Sequence, residues 1–443
     1  MMDTVKLPLL RLGVCAALVL SFSPAISHAA ESLVYSVSPN ASMITREAVG
    51  KPWVNVNLKR PVPFDHLVIA LPDAAIVNST GSVKLISRAD LEGLSPFPIL
   101  ETAFVVKPAP EGVDLAVTFD RGRIELVNTR DKGAATVKVQ FLDQTWTIRL
   151  LEPGTRMTLE MYGRHLSGSV YRPKLDTAPI VSVLALMIDK TAEINTGTEQ
   201  VEMSEAPGYA LMEWNNESNA VDGPTRLMSL PDWANPDHQG TERTKLLQAR
   251  IDTFRKLRLK VSPDEAPVKL YETFDPINER LALIMMAAQD DLMGLAKEIS
   301  ATHDIESWDM GMIVLRHWLG RAKGNDHLLY EFLTTKRPYK AIQARIIMQL
   351  ILGFGRRELE TPELYELLIE YLKNDAPAIR NMAAWHLYRL VPAMRMKVPY
   401  VPNGTPEQFA ELYKAWKAAI PAGQVPHLID TDKIRAVPFE PKK

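Results

Sequence analysis

The sequence holds a single cysteine, Cys15, and that residue lies in an apolar stretch near the N-terminus. If that stretch is a cleaved leader, the mature chain has no thiol. It then has no disulfide, no cysteine nucleophile, and no cysteine-based zinc or iron–sulfur site. Net charge is nearly absent as well: 51 Lys and Arg stand against 53 Asp and Glu, a formal balance of −2. Such a balance does not suggest nucleic acid or an anionic membrane surface as a partner. Beyond the leader no apolar run has the ~20 residues that a spanning helix needs. Ile180–Ile188, "IVSVLALMI", is of strand length. The nucleophile elbow G-x-S-x-G, the P-loop, a G-x-G-x-x-G after a strand and H-E-x-x-H are all missing, so no common catalytic motif declares itself.

What is present begins with a secretory signal. Lys6 and Arg11 give a positive flank, Leu12 to Phe22 an apolar centre, and Ser27-His28-Ala29 small residues where a signal peptidase reads. Cleavage is expected after Ala29, and a periplasmic or secreted bacterial location follows. The competing reading, a retained anchor, needs a longer apolar run. Val14 before Cys15 and "AALVL" after it speak against lipidation.

From about Glu31 to Trp214 the residues alternate with period two. In "VKVQFLDQTWTIRL", Val137, Val139 and Phe141 share one face, and Trp146, Ile148 and Leu150 do the same after a short turn. Strands are also expected at Trp53–Leu58, His66–Leu71, Ser82–Ser87, Val113–Phe119, Arg123–Asn128, Arg156–Tyr162 and Thr198–Met203. Asp120-Arg121-Gly122, Asp131-Lys132-Gly133, Glu152-Pro153-Gly154 and Pro207-Gly208 read as the turns between them, with Gly122 in a left-handed hairpin position. Evenly spaced short strands imply an all-β sandwich, a jelly roll or a β-helix-like stack.

After "MSLPDWANPDHQG" (Met228 to Gly240) the period becomes helical. One helix-start pattern, a capping residue followed by proline, recurs at Ser262-Pro263-Asp264-Glu265, Asp275-Pro276, Thr361-Pro362-Glu363 and Thr405-Pro406-Glu407-Gln408, with Gly353 and Gly355 as a stop. About eight helices are expected. The division is therefore residues 1–29 signal peptide, 30–227 all-β domain, 228–268 linker and connecting helix, 269–425 α-helical domain, and 426–443 tail. A chain this long calls for two or three units at roughly 150 residues each.

Two resemblances are carried by quotable residues. "NDAPAIRNMAAWHLYRL" (Asn374 to Leu390) is similar to the second helix of a HEAT repeat. Asp375 takes the cap, Pro377 the first turn, and Ile379, Ala383, Leu387 and Leu390 the packing stripe, with Arg380 beside it. Pro338, Ala344 and Ile351 stand 39 residues before Pro377, Ala383 and Leu390, an offset that suits this repeat class. The alternative is a plain helical bundle. "DLAVTFDRGRIELVN", "TWTIRLLEPGTRMTLEMYG" and "VLALMIDKTAEINTGTEQVEMSEAPGYALMEW" resemble the FecR family of exported β domains over Asp114 to Trp214. Asp189-Lys190 replaces that family's glutamate-glycine pair. Together they imply a FecR-like β domain followed by HEAT-like helices, in an uncharacterised family of bacterial envelope proteins.

No catalytic, cofactor-binding or metal-ligating residue is assigned. His303, Asp304, Glu306 and Asp309 in "HDIESWD" form the nearest metal-like group, but acidic residues at a helix start need no metal. His317 and His327 are read as polar residues straddling a helix–helix turn with Gly320 and Gly324. Glu152, Glu160 and Glu202 would serve a glycosidase only if strand order brought two of them together. "TFRKLRLK" (Thr253 to Lys260) reads as a solvated or stem-packed basic face. Trp308, Trp318, Trp385 and Trp416 read as core, with a partner-anchoring role for one or two as the alternative. Asn40, Asn78, Asn216 and Asn403 head sequon tripeptides, which arise often by chance. The function expected is non-catalytic binding or protein-interaction scaffolding in the envelope, without cofactor or nucleic acid, with envelope proteins as partners through the helices. A FecR-like signalling role and an envelope hydrolase with an inter-domain site are the alternatives.

Overall fold

The computed structural model describes residues 33–93, 100–175, 177–392, 395 and 400–426. Sixteen strands come first among them: β1 (Val34–Ser36), β2 (Met43–Arg46), β3 (Val54–Val56), β4 (Leu67–Ala70), β5 (Ala75–Asn78), β6 (Val83–Arg88), β7 (Thr102–Lys107) and β8 (Leu115–Asn128), then β9 (Ala135–Phe141), β10 (Gln144–Leu150), β11 (Arg156–Arg164), β12 (Ile180–Asp189), β13 (Thr191–Asn195), β14 (Gln200–Ser204), β15 (Tyr209–Asn215) and β16 (Val221–Leu227). The alternation of β9 and β10 makes the expected hairpin. Trp146 pairs with Val139 and Ile148 with Val137, and all four side chains are fully buried. Phe141 closes that core edge-on to Trp146 at 4.9 Å and to Trp214 at 5.3 Å.

The strands form one hydrogen-bonded network folded double at β8. One layer, sheet A, runs β1-β5-β6-β8-β11-β12-β15-β16. The other, sheet B, runs β3-β2-β4-β7-β8-β9-β10-β13-β14. Pairing is antiparallel except between β8 and β9. Inward side chains of both layers share one apolar core. Here the expected hairpin at Asp120-Arg121-Gly122 is corrected. Gly122 is left-handed, at φ +91°, but it kinks a continuous strand, with β8 pairing β7 before it and β6 and β11 after it. A β-carbon there would meet the Glu101 carbonyl oxygen at 2.5 Å. Glycine therefore lets the chain change layers.

Eleven helices follow among the described residues, rather than about eight: α1 (Glu242–Arg258), α2 (Ala266–Tyr271), α3 (Pro276–Ala288), α4 (Leu292–Ala301), α5 (Ile305–Gly320), α6 (Asn325–Thr335), α7 (Ala341–Leu352), α8 (Arg356–Leu359), α9 (Pro362–Tyr371), α10 (Pro377–Leu390) and α11 (Pro406–Ala419). Asp275 caps α3, and Thr405 with Gln408 closes a capping box on α11. Three caps differ from expectation. Ser262 supports only a leading turn, accepting from Glu265 N through its hydroxyl, and α2 starts at Ala266. Thr361 turns its hydroxyl to the Glu358 carbonyl. Asp375 makes no cap; the Asn374 side chain accepts from Ala376 N instead, at 3.0 Å. The helices pack as successive neighbours α2–α3, α4–α5, α6–α7 and α9–α10, and α3, α5, α7 and α10 form a contiguous row.

The described strand and helix regions belong to one compact unit. Trp53 N donates to Asp264, and Asn55 donates to the carbonyl of Arg258, so α1 and its following turn border the short strand β3. Helix α5 lies on β11. The stretch read as linker is thus partly built into the body.

Candidate functional site

The outward face of sheet A carries charge where the inward face carries Ile124, Leu126, Met157 and Leu159. Period two puts Arg123 and Glu125 of β8, Arg88 of β6, and Arg156 and Glu160 of β11 on that outer face. Glu160 pairs directly opposite Arg123, and their side chains form an ion pair. Glu125, 1% exposed, takes Arg88 on one oxygen and Arg156 on the other, each at 2.6 Å. Arg88 also reaches Asp73 at 2.6 Å. A buried carboxylate flanked by two guanidinium groups is held rigidly, because each charge satisfies the other's lone pairs or protons.

A strap crosses this face between β16 and α1. Leu230, Trp233 and Ala234 pack on Leu186 and Ile188 of β12 and on Tyr209 and Leu211 of β15. That anchorage lays the Trp233 ring over the Arg123 guanidinium, 4.8 Å from centroid to carbon. His238, at the end of the strap, stands 3.0 Å from Glu92 and 3.6 Å from Asp232. Glu92 in turn accepts from the backbone and hydroxyl of Thr241 and from the hydroxyl of Thr244, at 2.8, 2.6 and 2.5 Å, so it closes the N-terminus of α1 from the strand region. Burial pushes the Glu92 carboxyl up, but the hydrogen bonds from Thr241, Thr244 and His238 outweigh it and hold it down at about 2. His238 is raised, chiefly by its hydrogen bond to Glu92.

Between strap, β6 end and α1 lies a groove of about 310 Å³, at the lower end of the roughly 300–1,000 Å³ of small-molecule sites. Trp233, Asp232, Asn235, Asp90, Arg88 and Arg156 all line it. Among the described lining residues the Thr244 hydroxyl donates to the Glu92 carboxylate, at 2.5 Å. The groove offers an aromatic surface and hydrogen-bonding groups of both kinds.

A second polar cluster joins sheets to helices. Glu101, 1% exposed, accepts from Arg121 at 3.3 Å and Arg321 at 2.9 Å, with His317 Nε2 at 3.6 Å. Arg121 continues to the Ala288 carbonyl, and Asp290 binds Arg46 and the Trp318 indole. Burial pushes Glu101 up, yet His317, Arg321 and Arg121 bring it down to about 2. Burial lowers His317 to about 4, and its ring stacks on Tyr162 at 5.2 Å. The adjoining cavity holds about 10 Å³, at most about one water. This cluster joins the two regions and leaves no room for a substrate.

The residues singled out from sequence fall elsewhere. His303 faces the Pro402 carbonyl, Asp304 caps α5, Glu306 pairs with Arg280, and Asp309 accepts from Trp385 and Arg389. Among the described residues no group of His, Cys, Asp and Glu could hold a metal ion. His317 and His327 do flank the α5–α6 connection, where Gly320 ends α5 and Gly324 caps α6. Both nevertheless face the strand region, His317 through Glu101 and Tyr162, and His327 through Tyr171 at 3.1 Å. Glu160 lies in sheet A, Glu202 on β14 in sheet B and Glu152 in the turn after β10, so strand order separates them. Trp308, Trp318, Trp385 and Trp416 are at most 4% exposed and belong to the helical core, which corrects any anchoring role. The basic run in α1 hides Arg258 completely, over the Phe254 ring.

Trp233 and His238 escaped notice because "PDWANPDH" is dense in turn formers and reads as linker. Arg88, Glu125 and Arg156 sit at outward strand positions, which resemble solvated ones until something covers them. No family model, no curated protein and no solved structure matches this chain.

Proposed function

We propose that the protein is an exported component of a bacterial envelope that binds rather than catalyses. The groove under the strap is its ligand site, and the helical array is a scaffold for protein contact. The observation carrying this reading is the groove itself, where an aromatic ring and fixed donors and acceptors converge on a rigid, ion-paired sheet face. The apolar leader at residues 12–22 supports export. The 39-residue offset, together with the packing of α7 on α10, supports a HEAT-like kinship for the helices. The FecR-like likeness of Asp114 to Trp214 is the corresponding reading of the strand region. Among the described residues no helix is long and apolar enough to cross a membrane.

The test has two parts. Mass spectrometry of the exported fraction should find a mature N-terminus at Ala30; a chain that keeps Met1 inside the cell overturns export. Hydrogen exchange of the purified chain should slow in residues 72–92 and 230–238 when envelope extract is added. Unchanged exchange there, or turnover of an extract component, overturns the binding reading.

A further inference from the structure

We propose that the groove takes a neutral, hydroxyl-rich ligand, a short saccharide, seated on Trp233. This inference rests on the groove being a binding site. Trp233 is partly exposed while Arg123, stacked on its ring, is 1% exposed. Arg123 thus holds the ring from the sheet side, and the part of Trp233 that stays exposed lines the groove.

A cation beneath an indole draws the π density toward itself, so the outer face attracts a second cation less than a bare ring would. Arg88 and Arg156 at the groove wall add to that disfavour. An anion fares no better, because Asp73, Asp90, Glu92 and Asp232 also line the site. Charges of both signs are largely matched inside it: Arg88 with Asp73 and Glu125, Arg156 with Glu125, and Glu92 with His238 and the start of α1.

What remains for a ligand is a flat apolar surface ringed by acceptors and donors. A pyranose fits that combination. Its axial C–H face lies on an aromatic ring, and each hydroxyl both donates to a carboxylate and accepts from a guanidinium or amide. Asp232, with a side chain 41% exposed, and the Asn235 amide are the groups placed to meet hydroxyls beside the ring.

Calorimetry and tryptophan fluorescence of the full chain test this. The probes are cellotriose, maltotriose and chitotriose, with trilysine and inorganic phosphate as charged comparators. At least one trisaccharide should bind with little dependence on salt. Trp233→Ala should weaken it roughly tenfold or more, and Asp232→Asn, a surface change that leaves the strap's apolar anchorage intact, roughly threefold or more. Tighter, salt-sensitive binding of trilysine or phosphate that Asp232→Asn alters overturns the ligand class while the groove stands as a site. If no probe binds, or if binding ignores both substitutions, the saccharide assignment is overturned. Unchanged hydrogen exchange with envelope extract separately marks failure of the groove reading.

Discussion

Gly163 of β11 and Gly320 at the end of α5 touch backbone to backbone: a β-carbon on either would collide with the carbonyl oxygen of the other. The main chains of a sheet and a helix meet there without side chains between them. This close approach sets how α5 lies on sheet A, and with it the position of His317 and Arg321 against Glu101.

Gly320→Ala is therefore expected to destabilise the chain by about 1–3 kcal/mol, the range for overpacking, although alanine normally favours a helix. Gly163→Ala should do the same, and the double variant should cost less than the sum, since both force apart the same contact. Denaturant melts check this; a Gly320→Ala midpoint at or above that of the parent would refute the contact.

Acid should weaken the fold in two stages. His317 and His386 are buried, and burial lowers them to about 4 and about 3. Their folded values lie below the unfolded one, so their share of stability is present above about 6.5 and is lost as pH falls toward the folded values. Each contributes a slope of at most about 1.4 kcal/mol per pH unit. Glu101, held at about 2, adds a second loss below its ordinary value of 4.5. Melting temperature against pH measures both stages, and His317→Gln should flatten the upper one. A profile level from pH 7 to pH 4 would contradict the buried neutral histidines.

Arg258 is the odd member of α1. It is 1% exposed, its Nε and Nη1 find no hydrogen-bond partner among the described residues, and burial lowers it to about 9. Arg258→Met keeps the stem over Phe254 and removes an uncompensated charge, so it should leave stability unchanged or raise it. A loss above about 2 kcal/mol in denaturant melts would show that the guanidinium group is needed where it lies.

Glu101→Gln keeps the shape but removes the charge shared by Arg121 and Arg321. Breaking a buried pair from one side costs about 3–5 kcal/mol. Calorimetric melting should register it together with faster hydrogen exchange in residues 317–321. Parent-like behaviour would show that Asp290 and Asp120 suffice for both arginines.

Much of the secondary structure was legible because it rests on local rules. Val137, Val139, Trp146 and Ile148 announce a hairpin by alternation alone, and Asp275-Pro276 or Thr405-Pro406 announce helix starts by their capping chemistry. Asp120-Arg121-Gly122 misleads for an equally physical reason. The left-handed glycine that serves a turn also serves a bulge, and only the partners on each side distinguish them.

The candidate site was not legible at all. Glu125 becomes a buried anchor only because β6 and β11 flank β8 and bring Arg88 and Arg156 to it. Trp233 becomes a platform only because the strap folds back over that face. The sequence by itself determined the change from strand period to helix period near residue 228, the inward face of strands such as β9 and β10, and the absence of familiar catalytic motifs. Tertiary structure decided which outward charges are covered, which glycines meet, and where the groove lies. Periodicity is a property of neighbours along the chain, whereas burial of a charge depends on segments far apart in it, 220 residues for Glu101 and Arg321.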